Sequence, residues 1–215
     1  MARKVTLYTA QWADMSLETI CRKASEMGYD GLELACNDNH LNLDTLSQEH
    51  CDSIRATMKR YGLELYTVSN HPLGQCVCDP IDRRHKNILS PRIWGDGDPE
   101  GVRQRATAEM IRLGEAAKML GVDTVVGFTG SPIWHMLYAF PPISQNDVQA
   151  GFDEFARRFR PILDAYQKMG IRFALEAHPT EIAFDIASAK RALEAVDYHP
   201  AFGLSLIHIS EPTRL

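Results

Sequence analysis

No run in the 215-residue sequence is long and apolar enough to span a bilayer. The first residues, Met1-Ala2-Arg3-Lys4-Val5, carry no apolar signal core and lead straight into a strand-like run. Both absences argue against a membrane or secreted protein and set a cytoplasmic chain as the expectation. A basic stretch is missing too. Lysine and arginine total 23 against 28 aspartates and glutamates, giving a net charge of −5. No aromatic residues interleave with basic ones, so nucleic acid is not an expected partner. Cysteine is sparse, with five residues scattered as Cys21, Cys36, Cys51, Cys76 and Cys78. An odd count without a secretory signal implies reduced thiols. Cys76-Val77-Cys78 lacks a second pair to complete a metal site and reads as a plain thiol pair. No clear phosphate-binding loop is present.

What is present describes an ordinary globular chain, 45% hydrophobic and 24% charged. Its length suits one domain or part of a larger one. One unit recurs: an amphipathic helix, a glycine, then a short apolar strand. The copies are Met27-Gly28-Tyr29-Asp30-Gly31-Leu32-Glu33-Leu34, Tyr61-Gly62-Leu63-Glu64-Leu65, Leu120-Gly121-Val122-Asp123-Thr124-Val125 and Met169-Gly170-Ile171-Arg172-Phe173-Ala174-Leu175-Glu176. A glycine suits the left-handed position just past a helix end. The alternation predicts a parallel sheet with crossover helices. Strands are expected near 4–9, 31–35, 63–68, 123–128 and 171–176, with a sixth starting near 201–204.

The helices between them carry apolar stripes that predict core faces. These are Leu17, Ile20, Ala24 and Met27; Leu46, Ile54, Met58 and Tyr61; Val102, Ala106, Met110, Leu113, Ala117 and Leu120; Val148, Phe152, Phe155, Phe159, Ile162 and Tyr166; and Ile186, Ala189, Leu193 and Val196. Asp98-Pro99 reads as a helix start, and Ser144 with Asp147 has capping-box spacing.

In parallel α/β proteins the loops after the strand C-termini build the site. The polar groups expected there converge. Strand one exits to Gln11-Trp12. Strand two carries Glu33 and exits to Cys36-Asn37-Asp38. Strand three exits to Ser69-Asn70-His71-Pro72. Strand four exits to Thr129-Gly130-Ser131-Pro132-Ile133-Trp134-His135. Strand five ends in Glu176-Ala177-His178-Pro179. Residues two apart on a strand share a face, so Glu176 and His178 are expected to project together, with Pro179 ending the strand. A carboxylate and an imidazole on one face can bind a divalent metal or exchange protons with a substrate. Two long loops, roughly 70–97 and 129–145, bear Trp94, Trp134, Tyr138 and Phe140. They read as lids or walls.

The last residues, 205–215, do not fit the pattern and look like a translated sequencing-library adapter. They are expected to be a non-native tail, with 1–204 a partial barrel of about five and a half βα units.

On these residues the chain resembles the sugar phosphate isomerase/epimerase superfamily, the xylose-isomerase-like TIM barrels. The likeness rests on the helix-Gly-strand repeats, Glu33, Asn70-His71 and Glu176-Ala177-His178-Pro179. The resemblance implies an incomplete (β/α)8 barrel. It implies a parent protein that is a metal-dependent isomerase or epimerase of a sugar, sugar phosphate or polyol derivative. Glu176 would be a ligand for Mn, Mg, Co or Zn, the remaining ligands being expected in a missing C-terminal part. Glu176, His178 and His71 would be catalytic, and Glu33, His135, Trp12, Trp134 and Asn70 would bind substrate. His178 stands where aldose-isomerase relatives have lysine. A lyase or dehydratase on a keto-sugar or inosose, or a non-catalytic sugar-binding or scaffold protein, are the competing expectations. An endonuclease-IV-like activity conflicts with the net charge of −5. The expected partner is a small carbohydrate, with a homo-oligomer possible and neither membrane nor nucleic acid involved.

Overall fold

The computed structural model describes residues 4–205. Six strands form one parallel sheet in the order β1-β2-β3-β4-β5-β6. They are β1 (Thr6–Tyr8), β2 (Gly31–Ala35), β3 (Glu64–Ser69), β4 (Thr124–Gly127), β5 (Arg172–Glu176) and β6 (Phe202–Ser205). Five helices make the crossovers: α1 (Leu17–Glu26), α2 (Gln48–Arg60), α5 (Pro99–Leu120), α7 (Gln145–Met169) and α8 (Ile186–Ala195). Three shorter ones, α3 (His71–Cys78), α4 (Pro91–Trp94) and α6 (Trp134–Leu137), lie in the βα connections. Each strand pairs with its neighbours in sequence, which is the topology of a TIM barrel. The expected tail falls outside the described residues except for Ser205, which ends β6.

Local chemistry sets the helix ends. Ser16, Ser47 and Asp98 each accept a backbone N–H from the first turn of α1, α2 and α5. Ser144 with Asp147, and Asp185 with Ser188, close capping boxes on α7 and α8. At the other ends Gly121 and Gly170 take left-handed φ values of 73° and 75°. A side chain with a Cβ would be strained there, so the helix stops and the next strand begins.

The core lies between the sheet and the crossover helices. The α5 stripe from Val102 to Leu120 is buried, as are Phe152, Phe155, Phe159, Ile162 and Tyr166 of α7. Each large side chain buried this way contributes about 1.5–3 kcal/mol. Tyr166 satisfies its hydroxyl by donating to the Met110 carbonyl at 2.6 Å, which fixes α7 against α5. Two expected core residues are corrected. Met27 is 64% exposed because it lies past the end of α1, and Ile186 is 78% exposed because it opens the first turn of α8.

The connections also depart from expectation. Residues 70–97 fold into α3, a short 3-10 turn and α4. Helix α3 is largely buried, so this stretch is not a free lid. Pro72 sits in its first turn, where the missing N–H costs nothing. Gly74 lets α3 press on the end of β4: a Cβ there would overlap the Phe128 carbonyl. That close approach places the start of α3, and so His71, over the sheet's C-terminal end.

Candidate active site at the C-terminal rim

The polar residues of the rim meet across the sheet rather than along it. His71, first in α3 after β3, places Nε2 2.7 Å from Glu176 Oε2 at the end of β5. Its other ring nitrogen, Nδ1, is 2.8 Å from the Tyr8 hydroxyl on β1. Each contact skips an intervening strand. Next-nearest strands in a flat sheet stand about 9.6 Å apart, so the pairing needs the inward curvature of a barrel.

The network fixes the imidazole. With Glu176 as a carboxylate, which only accepts, Nε2 carries the proton and Nδ1 accepts from Tyr8. Burial pushes the Tyr8 phenol well above its ordinary value, with the charges of Glu33 and Glu176 adding to it. Tyr8 therefore stays a donor at any physiological pH. His71 is 6% and Glu176 8% exposed. The pair is a buried acid–imidazole contact, strengthened by the low local dielectric.

Phe128, just after β4, connects this pair to the next loop. Its ring meets His71 edge-on at 4.6 Å and lies 5.1 Å from the His178 ring. His178 donates from Nδ1 to the Pro179 carbonyl, which leaves the lone pair on Nε2. Phe128 thus touches both His178 and His71, the partner of Glu176.

Glu33 belongs to the same interior. Thr67 donates to its Oε2 at 3.3 Å, while Oε1 is buried without a hydrogen-bond partner, as is the Ser69 hydroxyl. Burial raises the Glu33 pKa, and the charge of Glu176 pushes the same way, whereas the Thr67 hydroxyl opposes it. A bulge sets the register: Leu32 pairs with Leu65, but Glu33 pairs with Thr67. The extra residue, Tyr66, packs where a Cβ on Gly31 would clash.

Asn70, Trp12 and Trp134 have partners of their own outside the His71–Glu176 hydrogen bond. Asn70 is the N-cap of α3, accepting the Leu73 N–H at 3.1 Å. It also borders a cavity of about 190 Å³ with Asn37, Arg92 and Glu109. His135 is exposed on α6. Trp134 packs edge-on against Tyr138 at 5.6 Å and Phe184 at 5.2 Å. Trp12 is half-buried against the core. Tyr8 and Phe128 are not legible as site residues. Both belong to strands or their ends, and only the fold gives them partners.

The sequence from residue 21 to 206 matches the model of the xylose isomerase-like TIM barrel family. The chain belongs to that family. Comparison with curated proteins gives no match. This xylose isomerase-like barrel is similar in fold to several solved structures. The 3-keto-D-glucoside 4-epimerase YcjR of E. coli aligns with a TM-score of 0.66 at 16% identity, over 94% of this chain and 67% of that one. The probable 3-DHS dehydratase AsbF of Bacillus anthracis aligns at 0.63 and 20% identity, over 94% and 62%. A xylose isomerase-like TIM barrel protein from Mycobacterium smegmatis, in complex with magnesium, aligns at 0.61 and 16% identity, over 94% and 63%. The chain therefore spans roughly two thirds of the length of these relatives.

Among the described residues, no group of three or more His, Cys, Asp or Glu side chains converges as a metal site. Glu176 fits one position of such a site, a buried carboxylate oriented by an imidazole N–H in the manner of a supporting shell.

Proposed function

We propose that this protein belongs to a metal-dependent isomerase or epimerase of a sugar, sugar phosphate or polyol derivative. The buried His71–Glu176 contact at the strand C-termini carries this reading. The fold relatives named as an epimerase and as a magnesium complex are consistent with it. A divalent ion held at Glu176 would supply Lewis acidity to a substrate carbonyl and so acidify the neighbouring C–H.

The chain's own groups then have distinct tasks. His71 donates to one carboxylate oxygen of Glu176 and fixes its orientation. With both ring nitrogens engaged, it acts by holding Glu176 rather than by binding sugar hydroxyls. His178 offers Nε2 as an acceptor for a substrate hydroxyl or a proton in transit. Glu33, on β2 within the same interior, is assigned to substrate binding. Trp12 and Trp134 are assigned as apolar walls.

The test is proton exchange. A chain extended to the length of its relatives is incubated with a ketose and Mn²⁺ in D₂O. Deuterium at the carbon next to the carbonyl, accompanied by an epimer, is the expected result, and Glu176→Gln abolishes it. Loss of water from the product would instead assign a dehydratase. Undiminished exchange in Glu176→Gln removes Glu176 from the chemistry.

A further inference from the structure

We propose that Glu181 is a positioning residue whose carboxylate clamps the loop after β4 to the turn after β5, and thereby sets how His178 stands on Phe128. Glu181 is 0% exposed. Its Oε2 accepts the Thr129 and Gly130 N–H groups at 2.7 Å each, and the Thr129 hydroxyl at 3.3 Å. Its Oε1 accepts from the Thr180 hydroxyl at 3.2 Å. Backbone contacts run alongside: Ile182 donates to the Gly130 carbonyl at 3.2 Å, and His178 to that of Ala183 at 3.2 Å.

The clamp holds a conformation the chain would otherwise avoid. Thr180 has φ of 91°, a left-handed region unfavourable for a β-branched residue. Such a turn persists only where its surroundings over-determine it. The clamped loop begins one residue after Phe128, whose ring meets both His71 and His178. The clamped turn begins at His178 itself. Glu181 thus controls the relation between two strand exits that the site depends on. Burial pushes its pKa up to about 7 despite the two amide donors. An ionisable group is being kept out of water at this point, and the hydrogen bonds to both loops account for its placement.

The proposal rests on reading this rim as the site, but its test needs no turnover. The full chain is labelled at histidine and phenylalanine, and ring signals are assigned with His71→Gln and His178→Gln. Glu181→Gln keeps an acceptor for the amides and is expected to leave the His178 and Phe128 ring signals in place. Glu181→Ala is expected to move both, while His199, bonded to Asp164 at 3.1 Å in the connection leading into β6, stays unmoved. A folded Ala variant with His178 and Phe128 unmoved overturns the clamp. Equal displacement of His199 overturns it as well, since that marks a general structural role. If Glu181→Ala does not fold, Glu181→Asp, which retracts the carboxylate, is read by the same criteria. Failure of this test leaves the metal-site reading intact, and failure of Mn²⁺ binding leaves the clamp intact.

Discussion

His71 Nε2 lies 2.7 Å from Glu176 Oε2, across 105 positions of sequence and one intervening strand. The contact joins the exit of β3 to the exit of β5, and Tyr8 extends it to β1. Three alternate strands therefore contribute to one hydrogen-bonded line. Alternate strands of a barrel point side chains into the same interior layer, which explains the pattern.

Tyr8→Phe removes the donor to His71 Nδ1 and leaves a buried acceptor unpaired. The expected loss is about 1–3 kcal/mol, read as a lowered urea midpoint with unchanged slope. A variant as stable as the parent would place no weight on this bond.

Glu181 gives the fold a pH dependence of predictable sign. Its carboxyl titrates near 7 when folded and near the ordinary 4.5 when unfolded, mainly because of burial, with the nearby charge of Asp79 adding to it. Between those values the folded state holds a proton that the unfolded state has released. Stability therefore falls as pH rises through that window, by up to about 3 kcal/mol. Glu181→Gln should flatten the decline seen by denaturant unfolding from pH 5 to 7. An unchanged slope would assign the decline to other groups.

Gly74→Ala forces a methyl group onto the Phe128 carbonyl. Helix α3 must lift from β4, at about 1–3 kcal/mol of destabilisation by thermal unfolding. The same displacement carries His71 away from Glu176, so the His71 ring signals should shift with it. A stable variant with unmoved His71 signals would show that α3 is not held by this contact.

The sequence made some of this legible and hid the rest for physical reasons. Glu176 and His178 stood out because a strand pattern ended in Pro179, and the helix-Gly-strand units exposed the parallel topology. His71 was legible as a strand-exit residue, but its role was not, because its partners come from β1 and β5. Helix α3 was hidden by Pro72 and Gly74, which read as loop residues although one suits a first turn and the other a close approach. Tyr8 looked like one more apolar strand position. Glu181, within Pro179-Thr180-Glu181, belongs to no pattern that marks it in the sequence. Its burial depends on the loop after β4, 51 positions away at Gly130. Met27 and Ile186 kept helical spacing but fall at helix ends, where spacing no longer decides burial.

Calorimetric titration with Mn²⁺ of the chain extended to the length of its relatives tests the central claim most directly. Parent, His71→Gln and Glu176→Gln are compared. Binding to the parent, weakened about 10–100-fold in His71→Gln and lost in Glu176→Gln, is the predicted result. Equal Mn²⁺ affinity in all three proteins would contradict the assignment of this rim as the metal-bearing site.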